Sequence, residues 1–318
     1  MRTRALIAAE LRELLDPDPL PGVEVTWLPS DVGTPAGPHA AIVPLLSRGI
    51  GAAELAGLPR LRIVANCAVG VDNIDLAACA ARGVVVTNTP DVLTDATADL
   101  TLALLLAVAR RFKEGQALLD AGAWTGWDPR QLLGLELRGA TLGIVGAGRI
   151  GRAVGRRAHA FGMRLCYASR TPQSTFELET GALRLSLKDL LARSDVVTLH
   201  VPSLPDTRGM IGAAELARMQ RGALLVNTAR GDLVDEGALV DALASGHLGG
   251  VGLDVFAREP HVPEGLIRHP RAVVLPHLGS ATVRTRRAMA GLAVRNVRAL
   301  LAGEPLVSPV LVGDGRRR

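Results

Sequence analysis

A glycine-rich turn in the middle of the chain constrains the fold more than any other feature. The apolar run of residues 141–145 leads into Gly146-x-Gly148-x-x-Gly151, and residues 152–161 continue at helical spacing. In a strand–turn–helix unit the first glycine permits the sharp turn, the second lets a pyrophosphate approach the backbone, and the third lets the helix pack on the strand. The helix N-terminus would then bind the phosphates. A turn without a ligand is the alternative for this motif alone. The pattern predicts a dinucleotide site formed by the whole turn: Gly146, Ala147, Gly148, Arg149, Ile150 and Gly151.

The end of the next predicted strand indicates which dinucleotide binds. NAD-specific folds usually carry Asp or Glu there, about 20 residues after the glycines, to accept hydrogen bonds from the ribose. This chain has Ser169, followed by Arg170 and Thr171. A hydroxyl and a guanidinium would bind a 2′-phosphate, which a carboxylate would repel. We therefore predict that NADP(H) is preferred, with NAD(H) as the second cofactor. A solvated surface role is the alternative for Arg170.

Composition narrows the class of protein. The chain has 318 residues, of which 48% are hydrophobic and 21% charged, as expected for two globular domains. Its net charge of +5 would suit nucleic acid, but the cations are scattered and aromatics make up only 3%, so we expect no nucleic-acid partner. The three cysteines lack metal or redox spacing, and no apolar stretch is long enough to cross a membrane. We expect a cytoplasmic protein without a metal or membrane partner.

Predicted strands alternate with helical segments on both sides of the glycine turn. This alternation indicates parallel sheets with right-handed crossovers. One long apolar helix, Asp95 to Lys113, would lead into a second domain, and a last helix over residues 281–302 would bring the chain back. We predict an α/β fold of two Rossmann-like domains with parallel sheets. A dinucleotide-binding domain (residues 96–280) is inserted into a flavodoxin-like substrate domain (residues 1–95 and 281–318).

Polar residues follow several of the predicted strands, where open α/β sheets bind their ligands. The guanidinium of Arg230 could hold a carboxylate through two hydrogen bonds, although a surface arginine after a turn is the alternative. The imidazole of His277 is a natural proton donor near neutral pH; a packed or capping histidine is the alternative. Glu259, placed against His277, would favour the protonated imidazole. Asp254 could accept a hydrogen bond from a nicotinamide carboxamide.

A turn in the first half offers backbone groups instead of side chains. Residues 69–75 follow the strand of residues 61–66, and N–H groups in such a turn form an anion-binding nest. Asp72 and Asp75 lack a third ligand with suitable spacing. We interpret them as turn and helix-capping residues and expect no metal site.

Taken in order, these motifs resemble the D-isomer-specific 2-hydroxyacid dehydrogenases over essentially the whole chain, and within that family the glyoxylate/hydroxypyruvate reductases. The matching motifs are Val69-Gly70-Val71-Asp72, Gly146-x-Gly148-x-x-Gly151, His200-Val201-Pro202, Asn227-Thr228-Ala229-Arg230-Gly231, Asp254-Val255-Phe256-x-x-Glu259-Pro260 and Pro276-His277-x-Gly279-Ser280. Each motif is weak alone, but their order and spacing together are highly specific.

The resemblance implies a role for each site. A nicotinamide would reduce the carbonyl carbon of a 2-oxo acid, and His277 would give the proton to the carbonyl oxygen while Glu259 orients it. Arg230 and the backbone of Val69 and Gly70 would hold the carboxylate and carbonyl. Further cofactor contacts are expected from residues on the same motifs and on the crossing helix: Thr97, His200, Val201, Pro202, Thr207, Thr228, Ala229, Arg230, Asp254, His277 and Gly279.

The segment 124–129 narrows the range of expected substrates. It resembles a segment that, in hydroxypyruvate reductases, reaches toward the active site of the partner subunit. Trp127 would then exclude bulky substrates and favour small hydroxylated ones, and residues 121–137 would form the arm of a homodimer. Trp124 and Trp127 as ordinary interface aromatics are the alternative.

Other members of the family are the nearest rivals. A D-lactate-type, phosphoglycerate or phosphite dehydrogenase would share the motifs, but a phosphorylated substrate needs several cations and the loops beside Val69 offer only Arg48. A non-catalytic NAD(H)-sensing module is the alternative from another class. The sequence does not rank glyoxylate against hydroxypyruvate.

Overall fold

The computed structural model describes residues 2–311, which divide into two compact units. One unit contains the chain up to Leu93 together with the part from Ala281 onward, and the other is Thr94–Ser280. Each unit contains one sheet, and all strands pair in parallel. The predicted α/β class with two parallel sheets is confirmed. The last residues of the predicted second segment, 312–318, lie outside the described part.

The first unit begins with a five-stranded sheet of order β2-β1-β3-β4-β5, which is the flavodoxin-like order. Its core contains apolar residues paired across neighbouring strands, such as Leu6, Ile42 and Val64, all less than 2% exposed. Its elements are β1 (Arg4–Ala8), a 3-10 helix (Ala9–Leu14), β2 (Glu24–Leu28), β3 (Ala41–Val43), α1 (Ala52–Gly57), β4 (Ile63–Ala65), α2 (Leu76–Ala81) and β5 (Val85–Thr87).

The second unit contains a seven-stranded sheet. Its elements are α3 (Thr94–Ala109), α4 (Phe112–Asp120), β6 (Thr141–Val145), α5 (Arg149–Ala160), β7 (Arg164–Ala168), α6 (Ser174–Thr180), β8 (Leu183–Arg184), α7 (Leu187–Arg193), β9 (Val196–Leu199), α8 (Ala213–Arg218), β10 (Leu224–Asn227), a 3-10 helix (Gly231–Leu233), α9 (Glu236–Ala244), β11 (Gly250–Leu253), α10 (Glu264–Arg268) and β12 (Ala272–Val274). The chain then returns to the first unit as α11 (Val283–Ala302), which packs against β3 and β4.

The strand order of the second sheet places the glycine turn at its switch point. The order is β12-β11-β10-β9-β6-β7-β8, so the chain builds outward from β6 in one direction and from β9 in the other. Open α/β sheets bind ligands in the crevice between two such strands, at their carboxyl ends. The turn after β6 and the segment after β9 therefore lie side by side at the ligand-binding edge.

The prediction of one helix from Asp95 to Lys113 is wrong. The structure has two helices, α3 and α4, separated by Arg111, which is in the left-handed conformation with φ 56°. The N–H of Leu135 donates to the carbonyl of Ala109 at 2.9 Å, so a distant segment binds the last turn of α3 and ends it there. In residues 2–311 no helix has both the length and the apolar character needed to cross a bilayer.

Candidate active site

The glycines of the turn after β6 have three different surroundings. Gly146 has φ 97°, and a Cβ there would lie 2.6 Å from the carbonyl oxygen of His200. A Cβ on Gly151 would lie 2.1 Å from the carbonyl oxygen of Gly146, so this glycine lets α5 begin directly against the turn. A Cβ on Gly148, the N-cap of α5, would meet nothing within 4 Å. The open side of the turn therefore faces away from protein atoms, which suits the approach of a pyrophosphate.

The segment after β9 is fixed by its own side chains. The Nε2 atom of His200 lies 2.9 Å from the hydroxyl of Thr198, and burial lowers the pKa of His200 to about 3. This imidazole is therefore neutral at physiological pH. The hydroxyl of Thr207 donates to the carbonyl of Pro202 at 2.6 Å and accepts from the N–H of Leu204 at 2.8 Å. Thr207 thus shapes the loop that begins with His200, Val201 and Pro202.

The predicted ribose-binding residues follow β7. Ser169 is half-buried, whereas Arg170 and Thr171 are exposed. The guanidinium of Arg184 donates to the carbonyls of Ser169 at 3.0 Å and Arg170 at 2.8 Å. Arg184 lies on the two-residue strand β8, opposite Tyr167 of β7. Sequence reasoning missed Arg184 because only this pairing brings it to the end of β7, and a two-residue strand leaves no periodic signal.

His277 and Glu259 form a hydrogen-bonded pair at the edge of the second sheet. The Nδ1 atom of His277 lies 2.8 Å from Oε2 of Glu259, whose Oε1 accepts from the N–H of Phe256 at 3.1 Å. Burial acts to raise the pKa of Glu259, but the hydrogen bond and charge of His277 outweigh it, so the pKa lies below its ordinary value. The carboxylate is ionised at neutral pH and can only accept, so Nδ1 carries a hydrogen and Nε2 is left to exchange a proton with a substrate.

Asp254 accepts hydrogen bonds from the backbone N–H groups of residues 277–279 and so fixes the position of His277. Its carbonyl accepts from the N–H of His277 at 2.9 Å, and its two carboxylate oxygens accept from Leu278 at 2.6 Å and Gly279 at 2.7 Å. Burial raises the pKa of this fully buried carboxyl, while the two N–H groups act to lower it. His277 has φ 57°, a conformation that these three hydrogen bonds stabilise. A contact between Asp254 and a carboxamide remains a prediction; the structural role was not predicted.

Two threonines beside Asp254 join the site to α3. A Cβ on Gly279 would lie 3.5 Å from the hydroxyl of Thr97 and 3.3 Å from Oδ2 of Asp254, so these residues are neighbours. The hydroxyl of Thr228 lies 2.8 Å from that of Thr101, which donates to the carbonyl of Thr97 at 2.8 Å. Thr97 therefore lies beside Asp254 and Gly279, and Thr101 links it to Thr228.

A glycine brings Arg230 to the same edge of the sheet. A Cβ on Gly231 would lie 1.9 Å from the carbonyl carbon of Phe256, so only glycine lets this turn lie against the loop that carries Glu259. The buried Asn227 forms the turn: its side chain accepts from the N–H of Ala229 at 3.0 Å and donates to the carbonyl of Arg230 at 2.7 Å. The charge of Arg230 also acts to lower the pKa of Glu259.

Val69, Gly70 and Trp127 are the remaining residues predicted to bind the substrate. Val69 and Gly70 belong to the first unit, in the half-buried turn after β4. Trp127 lies in the second unit and is 84% exposed; Trp124 is 54% exposed. The second unit thus brings together Arg230, Glu259 and His277, together with the glycine turn at the switch point.

The chain is similar to known proteins over most of its length. The family model described as D-isomer specific 2-hydroxyacid dehydrogenase, NAD binding domain, matches residues 102–279. Glyoxylate reductase of Thermococcus litoralis is 48% identical over 276 residues, covering 86% of this chain and 83% of that protein. A solved structure of a Thermus thermophilus protein is 45% identical with a TM-score of 0.87, covering 97% of this chain and 100% of that one.

A second solved structure is that of the NADPH-dependent glyoxylate/hydroxypyruvate reductase of Sinorhizobium meliloti in complex with NADP and malonate. It is 36% identical with a TM-score of 0.86, and covers 98% of this chain and 97% of that chain. The resemblance predicted from the motifs is confirmed: the chain belongs to the family of D-isomer-specific 2-hydroxyacid dehydrogenases.

Proposed function

We propose that this protein is an NADPH-preferring reductase that converts glyoxylate to glycolate and hydroxypyruvate to D-glycerate. The observation that carries the proposal is the pair of His277 and Glu259, 2.8 Å apart, on loops beside Arg230. A proton donor and a carboxylate-binding cation are the two groups that reduction of a 2-oxo acid requires from the protein. Relatives named glyoxylate reductase support the substrate class.

The residues at the edge of the second sheet fit a nicotinamide dinucleotide. The turn of residues 146–151 would hold the pyrophosphate, since the side of Gly148 is open. Residues 169–171 would surround the adenosine ribose, residues 200–202 with Thr207 would line the other side, and Thr97, Thr228, Ala229, Asp254 and Gly279 would border the nicotinamide. When bound, the ring would supply two electrons and a hydrogen to the carbonyl carbon.

The chain's own groups complete the reaction. Arg230 holds the substrate carboxylate through two charge-assisted hydrogen bonds and fixes the carbonyl in place. Negative charge develops on the carbonyl oxygen, and His277 neutralises it by giving the proton from Nε2. Glu259, ionised because its pKa is lowered, accepts the hydrogen bond from Nδ1 of His277 and keeps the ring oriented.

The surroundings of Arg48 support an unphosphorylated substrate. Its guanidinium donates to the carbonyls of Pro29 at 2.5 Å and Val32 at 2.9 Å, so it holds the loop of residues 29–34. A phosphorylated substrate would need several cations beside the turn of residues 69–75, and the loops of residues 45–48 and 69–75 offer only Arg48. Because Arg48 is engaged by carbonyl groups, we favour small acids over phosphoglycerate.

The direct test follows oxidation of the reduced nicotinamide by its absorbance. Hydroxypyruvate and glyoxylate are each assayed with NADPH and with NADH. Rapid oxidation of NADPH with either acid supports the class, the cofactor and the substrate together. Oxidation of NADH alone would keep the enzyme class and contradict the cofactor preference. No oxidation with any pair would contradict the proposed function and favour a phosphorylated substrate or a binding module.

The preference for NADPH depends on the end of β7. Replacing Ser169 by Asp and Arg170 by Ala should shift the ratio of kcat/KM for NADPH over NADH by about 100-fold toward NADH, because two charge-assisted contacts to the 2′-phosphate are replaced by a repulsive carboxylate. Arg164→Ala, at the opposite end of the same strand, is the matched control. An unchanged ratio in the double variant would contradict the preference.

We propose a homodimer whose arm is the segment 121–137. Three large apolar side chains are exposed on it: Trp124 at 54%, Trp127 at 84% and Leu133 at 68%. Exposed apolar groups of this size in one segment are typical of a protein interface.

Trp127 would contact the substrate in addition to the partner subunit. Trp127→Ala should raise KM for hydroxypyruvate by about 10-fold through loss of an apolar wall, while the dimer persists in sedimentation. Trp124→Ala, which removes a similar area from the same segment, is the control. Unaltered kinetics for both acids in Trp127→Ala would limit Trp127 to a structural role.

A cytoplasmic location is also proposed. The three cysteines, Cys67, Cys79 and Cys166, are free and buried. Unpaired cysteines are typical of a reducing compartment.

A further inference from the structure

Side chains bind the three successive carbonyl groups of residues 169–171, the segment that follows β7. Nη2 of Arg184 donates to the carbonyls of Ser169 at 3.0 Å and Arg170 at 2.8 Å, and its Nε donates to that of Ser169 at 3.2 Å. The side-chain amide of Gln173 donates to the carbonyl of Thr171 at 3.4 Å. These bonds take the place of a neighbouring strand and give the segment a defined path.

Gln173 is itself held by two neighbours. Its Oε1 atom accepts from the guanidinium of Arg152 on α5, and its N–H donates to the hydroxyl of Tyr167 at 2.9 Å. Tyr167 lies on β7 and is fully buried. Residue 171 is therefore anchored to the core of the unit through Gln173, whereas the carbonyls of residues 169 and 170 are bound by Arg184.

The groups proposed to contact the cofactor phosphate stay available. Within residues 2–311, neither the hydroxyl of Ser169 nor the guanidinium of Arg170 makes a hydrogen bond, and Nη1 of Arg184 makes none either. No carboxylate of these residues pairs with Arg170 or Arg184. Two unpaired guanidinium groups on one short segment favour the binding of an anion.

We propose that Arg184 is a positioning residue for the 2′-phosphate of NADPH. By fixing the carbonyls of residues 169 and 170, it orients the hydroxyl and the guanidinium that bind the phosphate before the cofactor arrives, which lowers the entropy cost of binding. This inference rests on the proposed preference for NADPH. NADH carries a hydroxyl in place of the phosphate and therefore depends on Arg184 much less. Arg184 is thus a determinant of cofactor preference located 14 residues beyond Arg170, on another strand.

The first test compares Arg184→Ala with the wild type. KM for NADPH should rise by about 10-fold with kcat changed by less than about 3-fold, because an interaction present in both ground and transition states is weakened. KM for NADH should change by less than about 3-fold, since NADH lacks the phosphate. Arg184→Lys should recover part of the loss, because an ammonium keeps the charge and one donor but not the forked pair of donors.

Arg271→Ala is the matched control. Arg271 is also exposed and its Nη1 donates to a backbone carbonyl of the same unit, that of Gly249 at 3.4 Å. It precedes β12, at the amino end of the strands, whereas the segment 169–171 follows the carboxyl end of β7. An unchanged KM for NADPH in Arg184→Ala, or an equal rise in Arg271→Ala, would overturn the inference.

The second test does not depend on turnover. Calorimetric titration with adenosine 2′,5′-bisphosphate and with adenosine 5′-monophosphate measures the phosphate contact directly. Arg184→Ala should weaken binding of the bisphosphate by about 10-fold and of the monophosphate by less than about 3-fold. Equal weakening of both nucleotides would overturn the inference. A wild type that binds both nucleotides equally would instead overturn the proposed preference for NADPH and, with it, the ligand assigned to Arg184.

Discussion

Replacing His277 by alanine should lower kcat for hydroxypyruvate and glyoxylate by about 100-fold or more, the usual effect of losing a general acid. The Nε2 atom is the ring nitrogen left for the substrate, because Nδ1 is bound to Glu259 at 2.8 Å. The nicotinamide site should stay intact, since Asp254 would still bind the N–H groups of residues 277–279. Steady-state rates together with NADPH titration by fluorescence check both parts of this prediction.

His247→Ala is the matched control for this variant. His247 is half-buried and lies 2.9 Å from the carbonyl of Leu216, so its loss removes a comparable structural contact without touching the site. Turnover near the wild-type level in His277→Ala would refute its role as proton donor. A loss of NADPH binding in parallel with kcat would mean that the substitution disturbs the loop instead.

Replacing Arg230 by alanine should lower kcat/KM for both acids by about 100- to 1000-fold. Two charge-assisted hydrogen bonds to the carboxylate are worth roughly 3–4 kcal/mol together, and each 1.36 kcal/mol corresponds to tenfold. Arg230→Lys should recover only part of the loss, because an ammonium keeps the charge but not the planar pair of donors.

The exposed Arg268, which pairs with Glu264 on α10, provides the control Arg268→Ala. Both Arg230 variants should be assayed over a range of pH, since the charge of Arg230 also contributes to the lowered pKa of Glu259. If Arg230→Lys retained wild-type kcat/KM, two-point binding of the carboxylate would be refuted.

Apolar periodicity, glycine positions and the alternation of strands with helices made much of the fold predictable from the sequence. The strand–turn–helix around residues 141–161 follows from apolar periodicity and from glycines whose Cβ atoms would collide with the carbonyls of His200 and Gly146. All described strands except the two-residue β8 follow from short apolar runs, and parallel pairing follows from their alternation with helices. Arg230, Glu259 and His277 stand after strands whose carboxyl ends share one edge of one sheet, so topology alone predicts that they gather there.

Only the tertiary structure shows the features that depend on contacts between residues far apart in the sequence. The break at Arg111 depends on Leu135 reaching the end of α3, and the position of Arg184 depends on the register of a two-residue strand. The three hydrogen bonds of Asp254 span 23 to 25 residues, and the bond from Ser308 to Asn88 spans 220. Such bonds leave no periodicity in the sequence, because each joins one donor to one acceptor that only the folded chain brings together. The sequence by itself therefore indicated most of the elements and the fold class and predicted the reacting groups, whereas only the folded chain decided which distant donors and acceptors hold the backbone beneath them.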